Sequence, residues 1–119
     1  MHDQIPFHFG DTLDPRIKEY EERTRDTIYS PAVLRRFAQA EYGGIEVEDR
    51  LKDVTQPVLV CAGRMDRVCT VDAAEAMAKG LPNVELVVFE ESGHMTFVEE
   101  NERYLQVVRG FLNKHMDRL

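Results

Sequence analysis

The chain has 119 residues, enough for one compact domain and too few for two of ordinary size. Apolar residues make up 43% of the sequence and charged residues 31%, so the composition is that of a folded protein and excludes a disordered one. The net charge of −7 argues against nucleic acid and anionic membranes as partners, because both would require clustered basic residues.

The sequence also bears on compartment and cofactors. No apolar stretch approaches the ~20 residues of a membrane-spanning helix, and the first ten residues lack the basic and apolar regions of a secretory signal. Cys61 and Cys69 are the only cysteines and lack metal-binding spacing, while His2, His8 and His115 are scattered along the chain. We therefore expect a cytoplasmic protein without a metal ion or other cofactor.

The first half of the chain predicts two short antiparallel helices after an irregular lead-in that extends to Thr12. A DP dipeptide at residues 14–15 is a helix-start signal and precedes the polar segment RIKEYEERTRDTIY. An SP dipeptide at residues 30–31 repeats the signal before AVLRRFAQAEY. This second helix should end at the glycine pair of residues 43–44 and carries one apolar face, formed by Val33, Leu34, Phe37 and Ala38.

The second half predicts a strand-helix-strand-helix unit. PVLVCAG at residues 57–63 and VELVVFE at residues 84–90 are apolar runs rich in β-branched residues, typical of buried strands in a parallel sheet. Between them, Thr70 is placed to cap the helix VDAAEAMAKGL. From Glu99 to about His115, apolar residues recur at helical spacing. This order is that of an α/β fold.

Two loops follow the two strands, and each carries a side chain suited to acid–base chemistry. Asp66 lies in GRMDRVCT after the first strand, and His94 lies in ESGHMTF after the second. Adjacent parallel strands are ~4.8 Å apart, so the loops at their carboxyl ends can bring these side chains into contact. Asp66 would then orient the imidazole, whose other nitrogen would act as a general base. Asp72 competes as the acid, but it falls in the first turn of a helix, where a carboxylate is favoured electrostatically.

These residues carry a specific resemblance. Residues 52 to 114 resemble the C-terminal end of the α/β-hydrolase superfamily, in which a G-x-x-D loop bearing the acid precedes a G-H loop bearing the catalytic histidine. Here the first is Gly63 to Asp66 and the second is Gly93-His94. The upstream segment of residues 14–38 is similar to the tail of a helical cap in the proline iminopeptidase-like branch. The resemblance implies a cap remnant over residues 1–50 and a hydrolase core over residues 51–119.

The sequence departs from this family where the nucleophile should be. A hydrolase of this kind carries its serine on a G-x-S-x-G turn upstream of the acid and histidine, and the chain contains no such motif. Ser30 and Ser92 are its only serines: Ser30 is placed as a helix cap, and Ser92 neighbours the histidine. We therefore expect a C-terminal fragment of a serine-type hydrolase of esters, amides or prolyl peptides. It would supply Asp66 and His94 and be inactive alone, acting on a small-molecule or peptide substrate only in its full-length form.

A second hypothesis is a non-catalytic interaction unit derived from a hydrolase. Two strands make an incomplete sheet, so the unpaired backbone of residues 57–62 should either pair with a second copy, forming a homodimer or larger oligomer, or dock onto the missing N-terminal half. A complete small flavodoxin-like domain is a weaker alternative, because two strands are too few for that sheet. The glutamate pairs, including Glu99-Glu100, are interpreted as solvated surface, and Met77 as core.

Overall fold

The computed structural model describes residues 2–40 and 45–118, and these form five α-helices, two strands and three 3₁₀ segments. The α-helices are α1 (Arg16–Thr24), α2 (Pro31–Gln39), α3 (Val71–Gly80), α4 (Thr96–Glu99) and α5 (Asn101–His115). The strands are β1 (Val58–Gly63) and β2 (Val84–Phe89). The 3₁₀ segments are His2–His8, Glu48–Asp53 and Met116–Arg118.

The predicted strand-helix-strand unit is confirmed. β1 and β2 pair in parallel with no bulge, in a register that runs from Val58 opposite Val84 to Gly63 opposite Phe89. They form the only sheet in the described part of the chain, so the sheet is incomplete, as expected. Because the two strands are parallel and of equal length, their carboxyl ends lie side by side at the same end of the sheet.

α3 covers one face of this sheet and closes the larger apolar cluster. Val60, Ala62, Ala74 and Leu81 are its buried members. The side chains of Leu51, Val71 and three partly buried strand residues surround it, so the cluster extends to the 3₁₀ segment Glu48–Asp53. Met77, expected in the core, is instead exposed on the outer face of α3. Helical periodicity identifies a stripe of residues, but the sheet covers only part of it.

The lead-in before residue 12 is not irregular, as the sequence suggested, but forms the 3₁₀ segment His2–His8. Phe9 follows it, donates its backbone N–H to the Pro6 carbonyl at 3.2 Å, and is fully buried. Phe9 forms a second apolar cluster with Ile17 of α1 and Met95. This cluster, assembled from distant parts of the chain, gives the segment its place and could not be read from local periodicity.

α1 is shorter than the sequence predicted, and α2 is less buried. α1 ends at Thr24 instead of Tyr29, and the chain turns there as the N–H of Thr27 bonds to the Thr24 carbonyl at 3.0 Å. Ser30 caps α2 as expected, accepting the N–H of Val33 at 3.4 Å. α2 has no buried residue, and its apolar face is exposed. The glycine pair expected to end α2 lies outside the described residues.

The final helix, predicted from Glu99 to about His115, is confirmed as α5, and the short helix α4 before it was not predicted. Glu100, with φ −126° and ψ 53°, separates α4 from α5. Phe89 at the end of β2 is fully buried, with the Arg103 guanidinium 4.8 Å from its ring centroid. Within residues 2–40 and 45–118, every helix is too short or too polar to traverse a bilayer.

Candidate active site

Two loops meet at the carboxyl edge of the sheet: the acid loop (residues 64–70) after β1 and the histidine loop (residues 90–95) after β2. The N–H of Met65 donates to the Ser92 carbonyl at 2.9 Å and joins them. A Cβ added to Gly63 would lie 1.9 Å from the Gly93 carbonyl oxygen, so only glycine permits this approach. A Cβ on Gly93 would meet backbone atoms of residues 8–10 at 2.7–2.8 Å. Close packing of these backbones therefore requires glycine at position 93.

Asp66 is held by its own loop. Its Oδ1 accepts the backbone N–H groups of Val68 at 2.8 Å and Cys69 at 2.9 Å. This arrangement is an Asx turn, in which a short carboxylate side chain organises the residues that follow it. Its Oδ2 is left to face the histidine loop. The side chain is only 6% exposed, so the carboxylate is preorganised and nearly dry.

His94 lies directly opposite this oxygen. Its Nδ1 is 2.9 Å from Asp66 Oδ2. Its backbone N–H donates to the His8 carbonyl at 2.7 Å, and the two imidazole rings are tilted with centroids 5.3 Å apart. The His94 side chain is 37% exposed. With Nδ1 engaged by the carboxylate, Nε2 is the nitrogen available to a partner from outside.

The His94 ring borders a cavity of about 430 Å³. One wall comes from the N-terminal segment and the histidine loop, and the other from α1 and the turn that follows it. The lining residues are Ile5, His8, Tyr20, Thr24, Arg25, Thr27, Tyr29, His94 and Met95. Arg25 is the only permanently charged side chain among them. The cavity therefore presents aromatic and apolar surface beside the free nitrogen of a carboxylate-bound histidine.

Two glutamates hold the histidine loop, which the sequence interpretation missed. Glu99 accepts the N–H of Gly93 at 2.9 Å with Oε1 and the N–H of Gly10 at 2.9 Å with Oε2. Glu100 accepts the Ser92 hydroxyl at 2.6 Å. The sequence predicted solvated surface for both residues, but Glu99 ties the loop to the N-terminal segment and Glu100 holds the loop from its own side. The sequence signal for this role was the pair of acids that follows the G-H motif, but the sequence could not identify the groups to which they hydrogen-bond.

Two arginines of the acid loop have structural roles. Arg67 donates to the carbonyls of Phe9 at 2.8 Å and Gly10 at 3.1 Å, and so fixes the N-terminal segment from the other side. Arg64 forms a bidentate salt bridge with Glu90, in which Nε donates to Oε2 and Nη2 donates to Oε1, each at 2.9 Å. Its hydrogen bonds lower the pKa of Glu90, and Glu90 in turn raises the pKa of the arginine. Both side chains are exposed, so this pair orients the loops more than it stabilises the fold.

The other candidate groups can also be placed. Ser92 is fully buried with its hydroxyl bonded to Glu100, and Ser30 caps α2, so both serines are engaged. Burial raises the pKa of the Cys61 thiol, which keeps it protonated. Asp72 is exposed on α3. Asp66 is thus the acid that meets His94, while a ligand atom of Cys69 also lies near them.

Comparison with known proteins is consistent with this geometry. Residues 7–101 match the profile of the family described as alpha/beta hydrolase fold. The chain is 43% identical over 70 residues to the proline iminopeptidase of Clostridioides difficile strain 630, covering 59% of this chain and 24% of that protein. It is 30% identical over 71 residues to pimeloyl-[acyl-carrier protein] methyl ester esterase of Aliivibrio fischeri strain MJ11, covering 60% and 28%.

A solved structure shares the fold. An alpha/beta fold family hydrolase from Bacillus anthracis strain Sterne superposes with a TM-score of 0.77 and 29% identity, covering 89% of this chain and 37% of that one. The chain spans about a quarter of the length of the curated relatives it matches. The resemblance to the hydrolase superfamily and its proline iminopeptidase-like branch, with an incomplete sheet, is therefore confirmed. Since the family profile covers most of its residues, the chain belongs to the alpha/beta hydrolase fold family.

Proposed function

We propose that this chain supplies the acid and the base of a serine-type hydrolase triad, with Asp66 as the acid and His94 as the base. The supporting observation is the 2.9 Å contact between Asp66 Oδ2 and His94 Nδ1 at the carboxyl ends of two adjacent parallel strands. In such a pair the carboxylate fixes the Nδ1–H tautomer, and Nε2 takes the proton of an attacking hydroxyl and later returns it to the leaving group.

The nucleophile of this proposal comes from residues beyond this chain. Ser92 is buried and donates to Glu100, while Ser30 is a helix cap on a different part of the molecule. No G-x-S-x-G turn is present in the sequence. We expect the purified 119-residue chain to show no turnover of an activated ester such as 4-nitrophenyl acetate. Turnover that His94→Ala abolishes would contradict this expectation.

A chimera tests the proposed roles within a complete hydrolase. The aligned segment of the Clostridioides difficile proline iminopeptidase is replaced by the matching residues of this chain, and hydrolysis of a prolyl 4-nitroanilide is measured. We expect Asp66→Asn to lower the rate by about 10³-fold or more, since the imidazole loses its orienting partner. Asp72→Asn is the matched control and should leave the rate unchanged. Equal effects of the two substitutions would refute the assignment of Asp66.

The substrate class of the whole protein is part of the proposal. The tyrosines and apolar side chains of the cavity suit a compact group with apolar surface, such as the methylene groups of a proline ring or a short acyl chain. One relative is named as a proline iminopeptidase and another as a methyl ester esterase, so an anilide and an ester both enter the test. The chimera is assayed with a prolyl anilide and a short-chain acyl ester, and the larger kcat/KM identifies the class that this segment favours.

A second candidate function is a self-associating or docking unit. The two-stranded sheet leaves backbone groups unpaired along both its edges in the described residues, and the apolar face of α2 is exposed. An open sheet edge beside apolar surface favours pairing with a second copy or with the missing N-terminal half of a hydrolase. Size-exclusion chromatography with light scattering should therefore show a dimer or larger species at micromolar concentration. A monodisperse monomer would argue against it.

We also propose that residues 1–50 are the remnant of a cap and that residues 51–119 are part of a hydrolase core. The cluster of Phe9, Ile17 and Met95 joins the two parts. A cytoplasmic location fits the two cysteines, which are both free thiols.

A further inference from the structure

Three different metal-binding groups meet at the proposed acid–base pair, which itself supplies two of them. A carboxylate oxygen of Asp66, the thiol sulfur of Cys69 and a ring nitrogen of His94 all lie within 4.8 Å of one another. Carboxylate, thiolate and imidazole are the three donor types that zinc sites use, and three protein ligands with an open fourth position are typical of accessible zinc sites. Sequence spacing gave no sign of this cluster, because Cys69 and His94 belong to different loops.

The acid loop creates the cluster. Asp66 Oδ1 accepts the N–H of Cys69 at 2.9 Å, which folds the loop back so that the cysteine side chain returns towards the carboxylate. The Asp66 carboxylate is nearly buried, while Cys69 is exposed. Asp66 is therefore a fixed ligand, whereas the exposed Cys69 side chain can move and leaves the site open to solvent.

We propose that Asp66 Oδ2, Cys69 Sγ and His94 Nδ1 bind a thiophilic divalent cation, Zn²⁺ foremost, with water completing a tetrahedral shell. Metal–ligand bonds of about 2.0–2.3 Å require the donor atoms of a tetrahedral site to lie roughly 3.3–3.8 Å apart. Separations of up to 4.8 Å therefore have to shorten by about 1 Å, which a rotation of the exposed Cys69 side chain can supply, and the 2.9 Å contact between Asp66 and His94 has to lengthen by about 0.5 Å.

The exchange of ions and protons balances without a change of oxidation state. The cation displaces the thiol proton of Cys69, which passes to solvent, because thiolate is the form that binds metal. Neutral His94 keeps one proton, which moves from Nδ1 to Nε2 when Nδ1 becomes a ligand. Asp66 Oδ2 exchanges its hydrogen bond with His94 for a bond to the metal.

Cation binding has a consequence for the proposed hydrolase, and this step rests on the proposed function. Once Nε2 carries a hydrogen it can no longer accept the proton of an attacking hydroxyl. The cation and the nucleophile thus require opposite tautomers of one neutral imidazole, so they compete for it. Bound zinc would switch the site off, and a chelator would restore it.

Cobalt provides a direct test because tetrahedral Co²⁺ substitutes for zinc and is coloured. The full 119-residue chain, reduced with a phosphine, is titrated with CoCl₂ and its near-ultraviolet and visible spectra are recorded. We expect intense visible bands with a sulfur-to-cobalt charge-transfer band, both bleached by an equivalent of Zn²⁺. Cys69→Ser should remove the charge-transfer band and weaken binding by about 100-fold or more, since loss of a residue that only supports a ligand already costs roughly 10- to 100-fold. Cys61→Ala is the matched control and should bind like the original chain.

The outcomes separate this proposal from the hydrolase proposal. An absent charge-transfer band, a band that persists in Cys69→Ser, or one lost equally in Cys61→Ala would overturn the metal site. Because the readout is spectroscopic and needs no turnover, any of these results leaves the roles of Asp66 and His94 in hydrolysis standing. Circular dichroism of Cys69→Ser checks folding, and Cys69→Ala repeats the test if the serine variant does not fold.

Discussion

Replacing Asp66 by asparagine should reverse the tautomer of His94 while leaving the acid loop intact. The amide oxygen of asparagine can still accept the backbone N–H groups of Val68 and Cys69, now bound by Oδ1. Its NH₂ group would then take the place of Oδ2 and point a donor at His94 Nδ1. Two donors cannot share a hydrogen bond, so the imidazole must move its proton to Nε2 and accept with Nδ1.

The structure sets the size of this effect. A hydrogen bond to a charged group contributes about 1.5–3 kcal/mol, and 1.4 kcal/mol corresponds to a tenfold change in an equilibrium. The 2.9 Å contact with Asp66 should therefore favour the Nδ1–H tautomer of His94 roughly tenfold or more. In Asp66→Asn the preference should invert. Global stability should fall by only about 1 kcal/mol, because the asparagine keeps the bonds within the loop.

Nitrogen-15 NMR of the histidine-labelled chain measures this directly. Spectra are recorded about two pH units above the ordinary imidazole pKa of ~6.5, where neutral rings dominate. Subtracting the spectrum of His94→Gln assigns the signals, and Asp72→Asn is the control. The reasoning would be refuted by an Nε2–H tautomer in the original chain, or by the same tautomer in the original chain and Asp66→Asn.

Four further substitutions, one of them a control, test how the site and the surrounding fold are held. Glu99→Gln should cost about 1–3 kcal/mol and speed amide exchange at Gly93, because one acceptor oxygen becomes a donor; unchanged exchange would contradict its bridging role. Asp14→Asn should lower stability at neutral pH by about 0.5 kcal/mol after solvent screening. Hydrogen bonds from Arg16 lower the pKa of Asp14 in the folded protein. The contribution of Asp14 to stability is therefore present above its unfolded pKa of about 3.9, and it is lost as pH falls through the lower pKa of the folded state. Urea denaturation at pH 7 and pH 2 should show the difference closing. Gly63→Ala should cost about 3 kcal/mol or more by backbone collision, whereas Gly110→Ala, in open space within α5, should gain about 0.5–1 kcal/mol, and similar midpoints for both would disprove the packing argument.

The sheet and its two loops could be predicted because their signals are local. β1 and β2 are short runs of β-branched residues, each closed by a loop with a distinctive motif. Parallel pairing then places the two loops at one edge, so the sequence was enough to expect Asp66 near His94. The contact is present in the structure, while the catalytic roles of both residues stay predictions.

The supports of the site could not be predicted, because they depend on contacts across the whole chain. Glu99 lies 89 positions from Gly10 and joins it to the histidine loop, and Arg67 donates to the carbonyls of Phe7, Phe9 and Gly10. A glutamate in a polar helical turn has the same local pattern whether it faces solvent or a buried amide. Only the packing of the N-terminal segment on the histidine loop distinguishes the two cases.

The account is tested most directly by the hydrolysis rate of the chimera before and after removal of His94. If Asp66 and His94 form the acid and base of a triad, the chimera should hydrolyse a prolyl 4-nitroanilide, and His94→Ala should lower kcat by about 10³-fold or more. A folded chimera that keeps its rate after His94→Ala would contradict the central claim.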